Sequence, residues 1–148
     1  MAKSTRRQTA EALVAAFNRM DIDSIISYRS DDCLRYILPS SLGPAPTNNQ
    51  QYRASLERLI TIFSNFNLVI VDIVEDREAN KICMYLTARA DTLAGAYINE
   101  YMWTLTFNDT GTKIIVFHEF VDAVVNRDFW PKLQHAMQAQ RESTKTGS

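Results

Sequence analysis

The second half of the chain carries four strand-like segments in succession, and this run restricts the fold more than any other feature. The segments are rich in β-branched and aromatic side chains and span residues 67–75, 81–91, 97–107 and 113–122. Turn-forming residues separate them, among them the Asn-Asp-Thr-Gly sequence of residues 108–111. Strands joined by such short connections pair side by side, so this half of the chain predicts an antiparallel meander.

The first half of the chain shows helical spacing instead. Ala10, Leu13 and Phe17 recur every three or four residues, which predicts an amphipathic helix over residues 5–19. A second, short helix is expected directly after it, and residues 33–38 are typical of a strand. The chain therefore begins with helices that can cover one face of the later sheet.

Two further helices are predicted around the strands. Thr47 and Gln50 match a capping box, which indicates a third helix over residues 48–63. A last helix is expected to begin near Asp128, with Pro131 in its first turn. The order helix, helix, strand, helix, four strands, helix indicates an α+β fold. A long curved sheet wrapped on helices leaves a conical cavity, which is a common position for a small-molecule site.

Composition and charge exclude several classes of protein. The chain has 148 residues, of which 46% are hydrophobic, and this is enough for one domain with a proper core. We expect that domain to span residues 1–148, with an ordered core over about 8–140. The net charge is −1 and there is no basic stripe, so no nucleic-acid partner is expected. No apolar run approaches membrane-spanning length, and the protein is expected to be cytoplasmic.

Cysteine and histidine are too sparse for a metal centre or a disulfide framework. Cys33 and Cys83 are isolated from each other and are expected to be reduced. The two histidines, His118 and His135, cannot form a histidine-rich site. The sequence also has no glycine-rich phosphate-binding loop. We therefore expect neither a metal ion nor a cofactor.

Glu119 is the most anomalous residue of the strand segments. It lies in the middle of an apolar strand, where a carboxylate costs several kcal/mol unless it is paired or hydrogen-bonded. Strand side chains alternate between two faces, so the face of Glu119 is predicted to carry Ile115, Phe117 and Val121. The opposite face receives His118 and Asp122, and Asp122 is positioned to cap the following turn. Two interpretations of Glu119 remain open, a catalytic or ligand-binding acid and a structural acid paired to an arginine.

The element order and several short segments resemble the nuclear-transport-factor-two-like superfamily. Within it the chain is similar to the SnoaL-like polyketide cyclases, including fungal isomerases and cyclases of meroterpenoid pathways. The matching segments lie between residues 10 and 135 and comprise residues 20–23, 31–33, 38–43, 52–53, 74–76, 90–92, 99–101 and 119–122. The resemblance implies a cone-shaped α+β barrel, in which a curved antiparallel sheet wraps on three N-terminal helices.

The function that the resemblance implies is a cofactor-independent isomerase or cyclase of a fungal meroterpenoid or polyketide pathway. Its substrate would be hydrophobic, oxygenated and polycyclic, and pocket carboxylates would rearrange it by acid–base chemistry. The superfamily also contains hydrolases, dehydratases and non-catalytic binding or dimerisation modules, which remain alternatives.

The epoxide-hydrolase branch of the superfamily suggests which residues would be catalytic. It uses an Arg-x-Asp pair on one strand and a second acid on the last strand, which correspond here to Arg89, Asp91 and Glu119. The alternative for Arg89 and Asp91 is a surface ion pair. The residues that hold water in that branch correspond to Arg35 and Ile37, so its water-positioning pair is missing.

The walls of the cavity are expected to combine arginines with aromatic and amide side chains. The expected substrate-binding residues are Arg35, Arg53, Tyr85, Asn99, Tyr101, Trp103 and Phe117. For Arg35 and Arg53 the alternative is a solvated arginine or a partner for Glu119 or Asp32. Residues 39–49 are expected to cross the cavity mouth as a lid or a simple connection. The outer sheet face is apolar, which predicts a homodimer.

Overall fold

The structure is a computed structural model, and it describes residues 2–147. Four α-helices and five β-strands follow in the predicted order. Their bounds are α1 Thr5–Arg19, α2 Ile22–Ser27, β1 Arg29–Leu38, α3 Asn49–Ile62, β2 Ser64–Asp76, β3 Lys81–Thr92, β4 Gly95–Phe107, β5 Ile114–Val121 and α4 Ala123–Thr146. A short 3-10 turn at Ser40–Leu42 follows β1.

The five strands form one curved sheet that does not close on itself. Their order is β1-β5-β4-β3-β2, so the last four strands form the predicted antiparallel meander. Strand β1 pairs with β5 in parallel, since the long segment from α3 to β4 separates the two strands and provides the crossover that parallel pairing needs. The α+β prediction is confirmed, with one parallel pair in the sheet.

The core lies between the concave face of the sheet and the helices. Leu13 and Phe17 of α1 and Leu56 of α3 are buried there, together with side chains from the inner face of β3 and β4. Burial of this apolar area is the main favourable contribution to folding. Among the residues that the structure describes, no helix combines the length and the apolar character needed to cross a membrane.

Several element boundaries differ from the sequence prediction because of helix capping. Helix α3 is capped one residue later than expected, by Asn48, whose capping box uses Gln51. Helix α4 begins at Ala123 rather than near Asp128, because the Asp122 carboxylate accepts from the backbone N–H groups of the first turn. Pro131 is consequently inside the helix instead of in its first turn. Asp122 therefore has the capping role that its position predicted.

Strand β5 has the predicted faces except at its start. Phe117, Glu119 and Val121 are buried, whereas His118 and Phe120 lie on the outer face. The pairing with β4 shifts register near its beginning, because Thr106 pairs with Val116 and Phe107 pairs with Ile114. The extra residue is Ile115, which is exposed, so the prediction that Ile115 faces inward is wrong.

Candidate active site

A cavity of about 350 Å³ lies between the concave sheet face and helices α1, α3 and α4. Its volume falls within the range of small-molecule sites, and its walls are mainly apolar. The apolar lining includes Phe17, Leu56, Leu59, Ile62, Phe63, Phe66, Trp103 and Trp130. Within residues 2–147, Glu119 is the only acidic side chain that lines it.

Glu119 is held by residues from two neighbouring strands. Its side chain accepts a charge-assisted hydrogen bond at Oε2 from the Nη2 of Arg35 on β1. Its Oε1 accepts a hydrogen bond of 3.1 Å from the indole Nε1 of Trp103 on β4. Residue 119 is only 6% exposed. A buried carboxylate with these two partners is charge-compensated and has a fixed orientation.

Arg35 retains hydrogen-bonding capacity beside the ion pair. Its Nε is buried and has no hydrogen-bond partner within the described part of the chain. Its guanidinium carbon lies 4.6 Å from the centre of the Tyr52 ring. Burial acts against the positive charge, but the attraction of Glu119 and Tyr52 outweighs it and raises the pKa of Arg35. Arg35 therefore remains cationic and can bind a substrate oxygen.

Tyr52 contacts two guanidinium groups. The guanidinium carbon of Arg29 also lies 4.6 Å from its ring centre. Arg29 is 5% exposed, and its Nε donates to the Asn49 side-chain oxygen at 2.7 Å. Burial lowers the pKa of Arg29 and raises the pKa of Tyr52 to about 12. The Tyr52 phenol is thus neutral at physiological pH and stabilises both cations through its π face.

A hydrogen-bonded group of polar side chains forms another part of the cavity wall. The hydroxyls of Tyr97 and Tyr101 lie 2.6 Å apart. The side-chain amide of Asn99 donates to Tyr97 at 2.6 Å and to the Asn126 oxygen at 2.9 Å. Tyr97, Tyr101 and Asn126 line the cavity, whereas Asn99 is buried behind them.

Arg89 and Asp91 do not face the cavity, so this part of the sequence prediction is wrong. Strand β3 points its even-numbered residues inward, and Ile82, Met84 and Leu86 are fully buried. Arg89 and Asp91 consequently lie on the outer face and are exposed, and Asp91 accepts a hydrogen bond from the Asn65 side chain. The regular alternation of apolar residues 82–90 was the signal that indicated the inner face.

The prediction that Tyr85 lines the cavity is wrong for the same reason. Tyr85 shares the outer face of β3, where its hydroxyl donates to Glu100 at 2.5 Å. Arg53 is also misplaced, because it lies on the outside of α3 and pairs with Asp23 at 2.8 Å. Phe117 faces inward as predicted but is buried beneath the cavity, where its ring packs against Tyr52 and Trp103.

The remaining predicted wall residues are close to their expected positions. Arg35, Tyr101 and Trp103 line the cavity, and Asn99 supports its wall from behind. The cavity residues missed from the sequence come mainly from helices, such as Tyr52 of α3 and Trp130 of α4. Their spacing indicated helix faces, but only the packing of α3 and α4 shows which face lines the cavity. No residue of the segment 39–49 lines it.

The described residues contain no group of three or more His, Cys, Asp and Glu side chains arranged to hold a metal ion. The residues that line the cavity can supply proton transfer at Glu119, together with hydrogen bonding and charge stabilisation from Arg35, Trp103 and the tyrosines.

Comparison with curated proteins shows clear relatives. The chain is 34% identical to austinoid biosynthesis cluster protein H of Aspergillus calidoustus over 128 residues. The aligned region covers 84% of this chain and 86% of the relative. The crystal structure of the BvnE pinacolase of Penicillium brevicompactum matches with a TM-score of 0.85 and 32% identity, over 90% of this chain and 96% of that chain. The chain belongs to the family of fungal biosynthetic-cluster proteins that includes austinoid biosynthesis cluster protein H, and it has a SnoaL-like fold. No protein-family model matches it.

Other similar proteins carry different names. One relative, 30% identical over 88% of this chain and 92% of its own length, is named monooxygenase ptaG of Pestalotiopsis fici. A putative SnoaL-like polyketide cyclase from Shewanella denitrificans is 13% identical with a TM-score of 0.72, over 85% of this chain and 96% of that chain, and shares the fold alone. The names of the relatives thus agree on fungal biosynthetic clusters but differ in the reaction, because one similar structure is a pinacolase and several relatives are named monooxygenases.

Proposed function

We propose that this protein is an isomerase or cyclase that rearranges an oxygenated terpenoid or polyketide by proton transfer through the single carboxylate Glu119. The observation that carries the proposal is one buried acid, paired with Arg35, in the wall of a mainly apolar cavity. The similarity to a pinacolase at 32% identity supports a skeletal rearrangement. The sequence suggested two carboxylates, but the outward position of Asp91 leaves one.

The geometry of the pair is suited to moving a proton within one substrate. Glu119 can accept a proton from an acidic C–H or O–H group of a bound molecule and return it at another atom. When Glu119 is neutralised, the positive charge of Arg35 loses its partner and stabilises the negative charge that develops on the substrate. The apolar walls exclude water and hold the carbon skeleton.

The function test compares two carboxylate variants on intermediates isolated from the producing fungus. Glu119→Gln is expected to lower kcat by about 10²- to 10⁴-fold, because it removes the proton acceptor. Asp91→Asn serves as the matched control and is expected to keep full activity, since Asp91 is exposed on the outer sheet face. Full turnover by Glu119→Gln on an intermediate that the native protein converts would disprove the acid–base role.

Oxidation is the second candidate, because relatives of about 30% identity are named monooxygenases. Hydrolysis and dehydration are further alternatives, since a buried acid can catalyse either reaction. Mass spectrometry of the product formed in ¹⁸O-labelled oxygen or ¹⁸O-labelled water distinguishes these reactions. An isomerase incorporates neither label, whereas a monooxygenase incorporates oxygen from O₂ and an epoxide hydrolase incorporates oxygen from water.

We further propose that two copies associate through the outer face of the sheet. Four apolar side chains on this face are substantially exposed, namely Leu34, Ile98, Met102 and Phe120. They lie on the adjacent strands β1, β5 and β4. Several large apolar side chains exposed on one sheet face are typical of a protein–protein interface. The free thiols Cys33 and Cys83 also support the proposal of a cytoplasmic location, where reducing conditions prevail.

A further inference from the structure

The donor and the acceptor of each hydrogen bond around the Asn99 side chain can be assigned. Its Oδ1 accepts from the backbone N–H of Glu100 at 2.8 Å, and a backbone nitrogen can only donate. This contact fixes the orientation of the amide group. Both hydrogens of the Asn99 side-chain nitrogen are then used, one toward Tyr97 and one toward Asn126. Tyr97 is therefore an acceptor in its bond with Asn99.

The direction at Asn99 determines the direction of the next hydrogen bond. Tyr97 is 3% exposed, and its hydroxyl contacts only Asn99 and Tyr101 among the described side chains. If Tyr101 donated to Tyr97, the buried Tyr97 proton would have no acceptor, which costs about 1–3 kcal/mol. The satisfied arrangement has Tyr97 donating to Tyr101. The proton of Tyr101 then has no acceptor among the described residues and is free for a molecule in the cavity.

We infer that Tyr101 is the hydrogen-bond donor for a carbonyl or enolate oxygen of the substrate, activated by the chain from Asn99 through Tyr97. This inference rests on the proposed function, because it assigns the oxygen-binding role in the same cavity. It implies a substrate class, an enolisable ketone or 1,3-dicarbonyl compound. A simple hydrocarbon skeleton would leave the Tyr101 donor unsatisfied.

The position of Tyr101 relative to Glu119 suits this chemistry. Tyr101 and Trp103 alternate on the inner face of β4, and Trp103 donates directly to Glu119. In the pairing of β4 with β5, Tyr101 is opposite Val121 and Trp103 is opposite Glu119. The Tyr101 hydroxyl and the Glu119 carboxylate therefore come from neighbouring cross-strand pairs on the same face of the sheet.

The corresponding proton transfer balances in two steps. In the first, Glu119 takes a proton from the carbon next to the carbonyl, and the C–H electron pair moves to the carbonyl oxygen to form an enolate. Tyr101 donates a hydrogen bond to this oxygen in the substrate and a stronger one in the enolate, which lowers the barrier. In the second step, Glu119 returns the proton to another carbon of the delocalised system and the carbonyl re-forms.

The test uses binding of enolate analogues and needs no natural substrate. The probes are 2-naphthols with substituents that lower their pKa, whose absorption distinguishes naphthol from naphtholate, and naphthalene as an apolar probe of similar shape. Tyr101→Phe is expected to weaken naphtholate binding by about 10- to 100-fold and to leave naphthalene binding unchanged. Tyr97→Phe, which keeps the Tyr101 hydroxyl but removes its polarising donor, is expected to weaken naphtholate binding by less.

The outcomes decide the inference in either direction. A selective loss of naphtholate binding in Tyr101→Phe supports the donor role. An equal loss for naphthalene and naphtholate, an unchanged affinity, or no naphtholate binding by the native protein overturns it. Glu119→Gln is expected to keep Tyr101-dependent naphtholate binding, because the donor chain does not include Glu119. Failure of the proposed acid–base function would be recognised separately, as turnover by Glu119→Gln, because the binding test measures no turnover.

Discussion

At the scale of single residues, the site is built from buried polar groups that lack the usual number of partners. Arg35 compensates Glu119, but Arg29 has no acidic partner within the described residues, and each arginine has a buried nitrogen without a hydrogen bond there. Both guanidinium groups contact the ring of Tyr52. Because isolated buried charge is costly, we attribute to this ring much of the stabilisation of the two cations.

Replacing Tyr52 tests this attribution. Tyr52→Leu removes both cation–π contacts and is expected to lower the free energy of unfolding by about 2 kcal/mol or more. Tyr52→Phe keeps the ring and is the matched control, with an expected loss below about 1 kcal/mol. Urea denaturation followed by circular dichroism measures both variants. Equal destabilisation by the two substitutions would show that the hydroxyl, and not the ring, is the stabilising group.

At the scale of elements, helix α1 is anchored to the turns at one end of the sheet. Thr9 donates to the backbone oxygen of Gly111 at 2.8 Å, and Arg6 pairs with Glu75 at 2.8 Å. Gly111 has a φ of +75°, and a Cβ there would lie 2.9 Å from the Arg6 Cγ and 3.0 Å from its backbone nitrogen. The turn between β4 and β5 is therefore shaped by its contact with α1 as well as by its own backbone.

Two glycine substitutions separate the effect of backbone conformation from the effect of contact with α1. Gly95→Ala introduces a side chain at a φ of +97° with nothing within 4 Å, and should cost about 1–2 kcal/mol of stability from backbone strain alone. Gly111→Ala adds the collision with α1, so we expect a further loss of about 1–3 kcal/mol. Thermal and urea unfolding of the two variants provide the comparison. Similar losses for both would mean that α1 adjusts at little cost.

At the scale of the whole molecule, the two sheet faces have different roles. The concave face forms the core and the cavity, whereas the outer face leaves large apolar side chains in solvent. Ile98 is 58% exposed and Phe120 is 50% exposed on neighbouring strands. Apolar side chains left in solvent favour association, which is why we propose that this face forms a dimer interface.

Charge substitutions on this face test the proposed dimer. Ile98→Asp and Phe120→Asp are each expected to shift the protein from dimer to monomer in light scattering coupled to size-exclusion chromatography, since a buried unpaired carboxylate is costly. Ile60→Asp is the control, because Ile60 is 43% exposed on α3 at the opposite side of the sheet. A monomeric native protein, or a dimer that survives both sheet substitutions, would refute the assignment.

The accuracy of the sequence prediction varied with the range of the interactions involved. Helix α1 and the succession of strands were predicted because side-chain periodicity is a local property of the chain. The start of α4 was misplaced, since the Asp122 cap lies within a segment that continues the strand pattern. Arg89 and Asp91 lie on the face opposite to the predicted one, because the apolar alternation around them determines the orientation of β3 and their resemblance to an Arg-x-Asp pair does not.

The sequence by itself determined the α+β order and the inward face of Glu119, because period-two alternation along β5 leaves a carboxylate among buried residues. Only the tertiary structure decided which partner that carboxylate has. Arg35 is 84 residues away in the chain, and the parallel pairing of β1 with β5 brings the two together. The donor direction from Asn99 to Tyr101 is set within β4, because the backbone N–H of Glu100 orients the Asn99 amide, and Asn126 of α4 only accepts its second hydrogen. Local patterns specify faces, whereas charge compensation arises from contacts between distant segments.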